Sequence, residues 1–306
     1  MRILFFGSSG FSVPSLRSLH SSISHVVTRK AKPRGRGYLL QDGEVKQVAQ
    51  EIGLALVELD SFKDQAAQDL IALNPDLLVV VSFGLIIPKW FLDAPTVGAI
   101  NVHPSLLPRY RGPAPIQWAI RNGESETGIT IIKMNERMDA GNILYQEAFR
   151  IYDEEDAESL SQRLADRSAA ILPEFIERIA VDGLPPGVVQ QEDEATYTSM
   201  ISKEMGLIDW SAPADRIVCQ VRAFVSWPTA YTCLDGKLLK VFKASRGREQ
   251  VGGEPGSIVE IVPEGLIVVA TGGTVVLKDV QLENRKRMNA TDFARGYRGI
   301  LGKRLI

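Results

Sequence analysis

At 306 residues the chain is long enough for one large domain or two ordinary ones. Its 45% hydrophobic and 24% charged residues are those of a globular protein, and no stretch is long and apolar enough to span a bilayer, so no membrane partner is expected. A net charge of −2 excludes a nucleic-acid binder that relies on a strongly basic whole molecule, but it leaves room for local basic patches.

The chain opens with a short apolar strand over residues 3–6, too brief an apolar run for a signal peptide. A helix is expected over 14–19, a strand at Val26-Val27, and helices over 45–52 and 66–73. Leu77-Leu78-Val79-Val80-Val81 is β-rich and apolar throughout, as a strand buried on both faces should be. Pro88 begins a short helix and 99–102 form another strand. This alternation predicts a parallel sheet with helices on both faces, whose ligand site lies outside the carboxyl ends of the strands. Strands over 128–134 and 143–151 follow, joined by a compact loop over 135–142. Residues 157–181 read as a long helix with Leu160, Leu164, Ile171, Phe175, Ile176 and Ile179 on its apolar side.

The character then changes. Asp182-Gly183-Leu184-Pro185-Pro186-Gly187 and Gln190-Gln191-Glu192-Asp193-Glu194 have the composition of a connector. We therefore expect domains over 1–184 and 205–306 with a linker over 185–204. The second domain has a short helix near 214–221. Strands are expected over 230–234, 238–244, 256–262, 265–270 and 274–281, spaced as in a small β-barrel or sandwich. Cys219 and Cys233 fit no metal spacing and read as reduced thiols, so a cytoplasmic protein without a metal is expected.

Three histidines are present, His20, His25 and His103. The first two flank a turn, where surface roles suffice. His103 stands two residues after Asn101 at the end of a buried strand, and strand alternation points both side chains to the same side. An amide donor and an imidazole held together above a sheet suit a carbonyl group in transit: Asn can donate to a developing oxyanion, and His can stabilise it or exchange a proton. A hydrogen-bonded structural histidine is the plainer role; the Asn beside it and the proline-punctuated loop after it favour chemistry. Asp139, at the tip of the 135–142 loop, is the natural third member. It either orients His103 and moves a proton, or makes only an Asx turn. Gly7-Ser8-Ser9-Gly10 is not G-x-G-x-x-G, and Thr28-Arg29-Lys30 rather than an acid ends the second strand, which disfavours a nicotinamide-dependent dehydrogenase.

Asn101-x-His103-Pro104-Ser105-Leu106-Leu107-Pro108-Arg109-Tyr110-Arg111-Gly112, followed by Met138-Asp139-Ala140-Gly141, resembles the folate-dependent formyltransferases. The resemblance covers nearly the whole chain. It implies an α/β fold with an N-terminal Rossmann-like parallel-sheet formyltransferase domain and a C-terminal small β-barrel (OB-like) domain. It implies that Asn101, His103 and Asp139 are catalytic. It further implies that Ser105, Leu106, Leu107 and Pro108 bind the folate, with the pterin near Phe83, Gly84 and Leu85. The co-substrate implied is 10-formyltetrahydrofolate.

The shared motif does not choose among acceptors. Three features resemble the branch of the family that formylates aminoacylated initiator tRNA for translation initiation. The first is the basic loop Lys32-Pro33-Arg34-Gly35-Arg36-Gly37, which places Lys32, Arg34 and Arg36 against tRNA. The second is Lys203-Glu204-Met205-Gly206-Leu207-Ile208-Asp209-Trp210 with Arg222-Ala223-Phe224-x-x-Trp227-Pro228, at the opening of the second domain. The third is the C-terminal stretch from Lys286-Arg287-Met288, with Arg285, Lys286 and Arg287 as further tRNA contacts. One departure is Gln41-Asp42-Gly43-Glu44-Val45-Lys46 where that branch carries Pro-Ser-Pro-Val-Lys; two acids there weaken the pull of the basic loop on phosphate. The branch is typically monomeric. The alternatives are a formyltransferase for an amino-sugar nucleotide and a non-catalytic RNA-binding protein that has kept the fold.

Overall fold

The computed structural model describes residues 1–30, 33–34, 39–40, 42–249 and 252–306, the pairs at 33–34 and 39–40 as backbone only. In chain order the first elements are β1 (Ile3–Gly7), α1 (Val13–Leu19), β2 (Ile23–Arg29), β3 (Pro33–Arg34), β4 (Leu39–Leu40), α2 (Glu44–Glu51), β5 (Ala55–Leu59), α3 (Gln65–Ala72), β6 (Leu77–Val81), α4 (Lys89–Leu92) and β7 (Gly98–His103). Then follow α5 (Pro115–Arg121), β8 (Glu126–Lys133), β9 (Ile143–Arg150), α6 (Ala157–Asp182), α7 (Ala214–Ala223), β10 (Ala230–Leu234), β11 (Lys237–Arg246), β12 (Ile258–Val262), β13 (Gly265–Ala270), β14 (Gly273–Leu282), β15 (Met288–Asn289) and α8 (Ala290–Gly296). No helix among the described residues is long and apolar enough to cross a membrane.

The chain divides into two compact units. Unit 1 comprises Met1–Gly112, Thr127–Phe149 and Ser161–Tyr197. Its sheet has seven strands in the order β5-β2-β1-β6-β7-β8-β9, parallel from β5 to β7 and antiparallel between β7 and β8. β1 and β6 are buried along their whole length, which is why their sequences carry no polar alternation. On one face Leu4, Phe6, Leu78, Val80 and Ala99 pack against Ala67 and Leu70 of α3 and Phe91 of α4. Phe6, Phe62, Phe83 and Phe91 form an aromatic cluster with ring centroids 4.9 to 6.4 Å apart. Each such buried ring stabilises the unit by about 1.5–3 kcal/mol. The parallel sheet is the expected one, with β5 added at one edge; β8 and β9, the strands expected over 128–134 and 143–151, extend the other.

Unit 2 comprises Pro113–Glu126, Arg150–Leu160 and Thr198–Ile306. Its antiparallel sheet runs β10-β11-β14-β13-β12, with β15 paired to β14. Residues 302–306 hydrogen-bond to both ends of that order. Ile306 exchanges two backbone bonds with Cys233 of β10, and Leu305 and Lys303 bond to Gly256 and Ile258. That strip closes the sheet around a core of Ile217 and Val221 from α7, Val241, Leu266, Leu277 and Phe293. α8 is capped by Asn289, whose side chain accepts the Thr291 N–H at 2.8 Å.

Candidate active site

The site grows from the carboxyl end of β7, in unit 1. β7 pairs in parallel with β6 and antiparallel with β8, placing Asn101 between Val80 and Ile132. Asn101 and His103 leave the strand on one side, as alternation requires. His103 is only 4% exposed. Its Nε2 lies 2.9 Å from the Tyr110 carbonyl, which can only accept, so Nε2 carries the proton. Nδ1 faces Asp139 Oδ2 at 3.6 Å, an ion-pair distance longer than a hydrogen bond. Asn101 Nδ2 donates to Asp139 Oδ1 at 3.3 Å, and Asp139 Oδ2 also accepts the Gly112 N–H at 2.8 Å. Amide, imidazole and carboxylate therefore meet, although 38 residues separate Asn101 from Asp139.

Asp139 reaches them because its loop doubles back. Lys133, the last residue of β8, pairs with Ile100, and its N–H donates to Asn142 O at 2.9 Å. Asp139 has φ 49°, the left-handed region that Asp tolerates better than most residues. Gly141 follows, where a Cβ would overlap the Lys133 carbonyl.

The loop after His103 is pinned from below. Thr130 Oγ1 donates to Ser105 O at 2.6 Å and accepts the Leu107 N–H at 3.2 Å, while Gln146 Nε2 donates to Leu107 O at 2.8 Å. Ser105 Oγ donates to Arg109 O at 2.7 Å. Ser105 and Leu107 are buried, whereas Leu106 and Pro108 are half-buried and present side-chain surface. Near the second expected ligand segment, Phe83 points into the aromatic cluster. Gly84 (φ 76°) is exposed, and its carbonyl accepts Arg29 Nη1 at 3.3 Å. Leu85 packs partly against the same core. The surface exposed there is the Gly84 backbone and part of Leu85.

Lys32 and Arg36 lie outside the described residues, and Arg34 belongs to β3. Arg285, Lys286 and Arg287 are exposed on the turn between β14 and β15 in unit 2. Arg287 is already engaged, paired with Asp279 at 2.7 Å and stacked over Phe242 at 4.4 Å.

Two buried residues near Asp139 escaped the sequence reading. Arg111, 1% exposed, donates through Nε to Gln190 Oε1 at 3.0 Å, and its two terminal nitrogens each lie 3.1 Å from a Glu192 oxygen. Burial pushes its guanidinium down, but the bonds to Glu192 and Tyr197 outweigh that and hold it above its ordinary value. Arg111 stood inside the recognisable motif, so its presence was visible; its role was not.

An amide, an imidazole and a carboxylate gathered at the carboxyl edge of an α/β sheet, beside a loop with apolar surface, are the equipment of an enzyme that transfers a carbonyl-bearing group. Residues 1–176 match the family model described as formyl transferase, and residues 200–298 match that of the formyl transferase C-terminal domain. Methionyl-tRNA formyltransferase of Citrifermentans bemidjiense is 42% identical over 99% of this chain and 97% of its own length. The enzyme of that name from Bacillus licheniformis is 42% identical over 96% and 95%. The chain belongs to the formyltransferase family, among the methionyl-tRNA formyltransferases. Among solved structures, the N-formyltransferase of Helicobacter canadensis shares the fold at TM-score 0.68 and 19% identity, covering 90% of this chain and 98% of that one. HypX from Aquifex aeolicus, solved with tetrahydrofolic acid, shares it at 0.66 and 20%; this chain, 99% covered, spans 48% of that protein.

Proposed function

We propose that the protein transfers the formyl group of 10-formyltetrahydrofolate to the amino group of methionyl-initiator tRNA, in the cytoplasm and as a monomer. The observation that carries this reading is similarity at about 40% identity, through both units and nearly end to end, to enzymes that bear that activity in their names. Residues 1–184, with the connector residues up to Tyr197 packed in the same unit, supply the chemistry, and residues 205–306 supply tRNA surface.

The folate supplies an activated formyl group on N10. The residues present fit it: Leu106 and Pro108 offer apolar surface to a flat ring system, and Asn101 and His103 offer donors beside them. As the methionyl amine bonds to the formyl carbon and the bond to N10 breaks, negative charge develops on the formyl oxygen. The second N–H of Asn101 and a proton on His103 Nδ1 stabilise that charge. The Asp139 carboxylate lies 3.6 Å from the imidazole, takes up the amine proton, directly or through water, and returns it to N10 as the bond to the formyl carbon breaks. Lys32, Arg34, Arg36, Arg285 and Lys286 hold tRNA phosphates, while Arg287, engaged with Asp279 and Phe242, adds less.

The test is formylation of charged initiator tRNA, charged elongator tRNA and an amino-sugar nucleotide, each with 10-formyltetrahydrofolate. Turnover on the initiator tRNA is expected. Turnover on the sugar nucleotide alone gives the acceptor to the other branch, and no turnover on any acceptor rejects the reading.

A further inference from the structure

The carboxylate of Asp139 is aimed by its contacts with Asn101, His103 and Gly112, but its backbone needs a separate hold. Asp139 is a non-glycine residue at φ 49°, a conformation that persists only where neighbours over-determine it. Gln190 is the neighbour that does so. Its side-chain nitrogen donates to the Asp139 carbonyl at 2.8 Å and to the Gly141 carbonyl at 2.7 Å, gripping the loop on both sides of Ala140. Its side-chain oxygen accepts Arg111 Nε at 3.0 Å. Two carbonyls on one side and a guanidinium on the other allow only one orientation of this amide. Gln190 is 6% exposed, so each bond forms away from water, where a lost partner is costly.

Arg111 closes the circuit. The peptide carbonyl before it, of Tyr110, accepts His103 Nε2, and the peptide N–H after it, of Gly112, donates to Asp139. Its own N–H donates to Thr196 O at 2.9 Å, and its side chain is clamped by Glu192 and by the Tyr197 hydroxyl at 3.1 Å. The backbone beside Arg111 thus fixes the imidazole and one carboxylate oxygen, and its side chain fixes the amide that fixes the Asp139 backbone.

We infer that Gln190, locked by Arg111, is a positioning residue that sets where the Asp139 carboxylate stands against His103 and Asn101. The inference rests on the role proposed for Asp139 in formyl transfer. Gln190 is buried and acts through Asp139, so its effect is on the rate of the bound complex, because a displacement of about 1 Å in such a site can cost about 100-fold.

The experiment compares Gln190→Glu, which keeps the acceptor for Arg111 but loses both donated bonds, with Gln190→Met, which loses all three. Each is made alone and with Asp139→Asn. Measured are kcat and KM for methionyl-initiator tRNA and for 10-formyltetrahydrofolate, with thermal unfolding of every variant. We expect kcat of Q190E to fall by about 10- to 100-fold with both KM values little changed. In the D139N background either Gln190 change should add no further loss, because both act through one group. Q190M reports the same should Q190E fail to fold. Wild-type kcat in a folded Gln190 variant, or losses that multiply with D139N, overturns the inference alone. A wild-type enzyme inactive on methionyl-tRNA overturns the proposed function, and this inference with it.

Discussion

His103 hangs from the carbonyl of Tyr110 by Nε2, 2.9 Å away, so the nitrogen turned toward Asp139 is Nδ1. The two ring nitrogens therefore have separate partners, and in the proposed mechanism only Nδ1 faces the reaction. Two amides separate them. Gln reaches as far as Nε2 and keeps the bond to Tyr110; Asn reaches only as far as Nδ1. His103→Gln should hold its melting temperature yet lose about 10²–10³-fold in kcat. His103→Asn should keep more activity but melt lower, because the Tyr110 carbonyl is left without its partner. Steady-state kinetics and calorimetry on the pair check this; the reverse ordering contradicts it.

Gly128 lies under the loop expected to bind folate. A Cβ there would overlap Leu106 Cδ2 and the Glu147 carbonyl oxygen, which belongs to the backbone of β9. Gly128→Ala should cost about 1–3 kcal/mol of stability, the usual penalty for overpacking. It should displace Leu106 and raise KM for 10-formyltetrahydrofolate several-fold more than KM for tRNA. Equal changes in the two KM values would remove Leu106 from the donor site.

The Arg111 hydrogen bonds, with the charges of Arg111 and Arg137, hold the Glu192 carboxylate below the usual range. A lowered carboxylate means that the folded state binds fewer protons than the unfolded one. The stabilisation is complete above the unfolded value, about pH 4.3, and is lost as pH falls through the lower folded value. Glu192→Gln should melt below wild type at neutral pH by a margin that shrinks to nothing in acid. Melting curves from pH 7 down to about pH 3 test it; a margin that persists in acid would assign the effect to something other than charge.

Arg285 and Lys286 project from their turn, whereas Arg287 is held by Asp279 and Phe242. Removing Arg285 and Lys286 together should weaken tRNA binding and flatten its dependence on log salt by about 0.7–0.9 per lost phosphate contact. Arg287→Ala should lower the melting temperature and change that slope less. A full slope change from Arg287 alone would reverse the assignment within this turn.

The sheet of unit 1 was legible because its central strands are apolar runs with no helical period, and β7 displayed the Asn101–His103 pair through simple alternation. The edge strand β5 was not, since Ala55–Leu59 is half-buried and mixed in character. Nor were α5 and α8. The place of Asp139 depends on the antiparallel pairing of β8 with β7, a long-range fact with no local signature. Residues 188–197 have a connector's composition, yet Val188 bridges Ile143 and Tyr197 bridges Arg111. Composition records how a segment behaves alone, while those bonds belong to its partners. Gln190 is therefore unremarkable in sequence and central in space.

If Asn101, His103 and Asp139 act on a formyl group destined for methionyl-tRNA, as proposed, each must matter in the transfer step itself. Single-turnover transfer of labelled formyl from 10-formyltetrahydrofolate to charged initiator tRNA measures that step alone, in wild type and in Asn101→Ala, His103→Ala and Asp139→Asn. Rapid transfer by wild type and losses of about 10²–10³-fold or more in each variant, with tRNA binding intact, are expected. Variants that transfer at the wild-type rate would contradict the account.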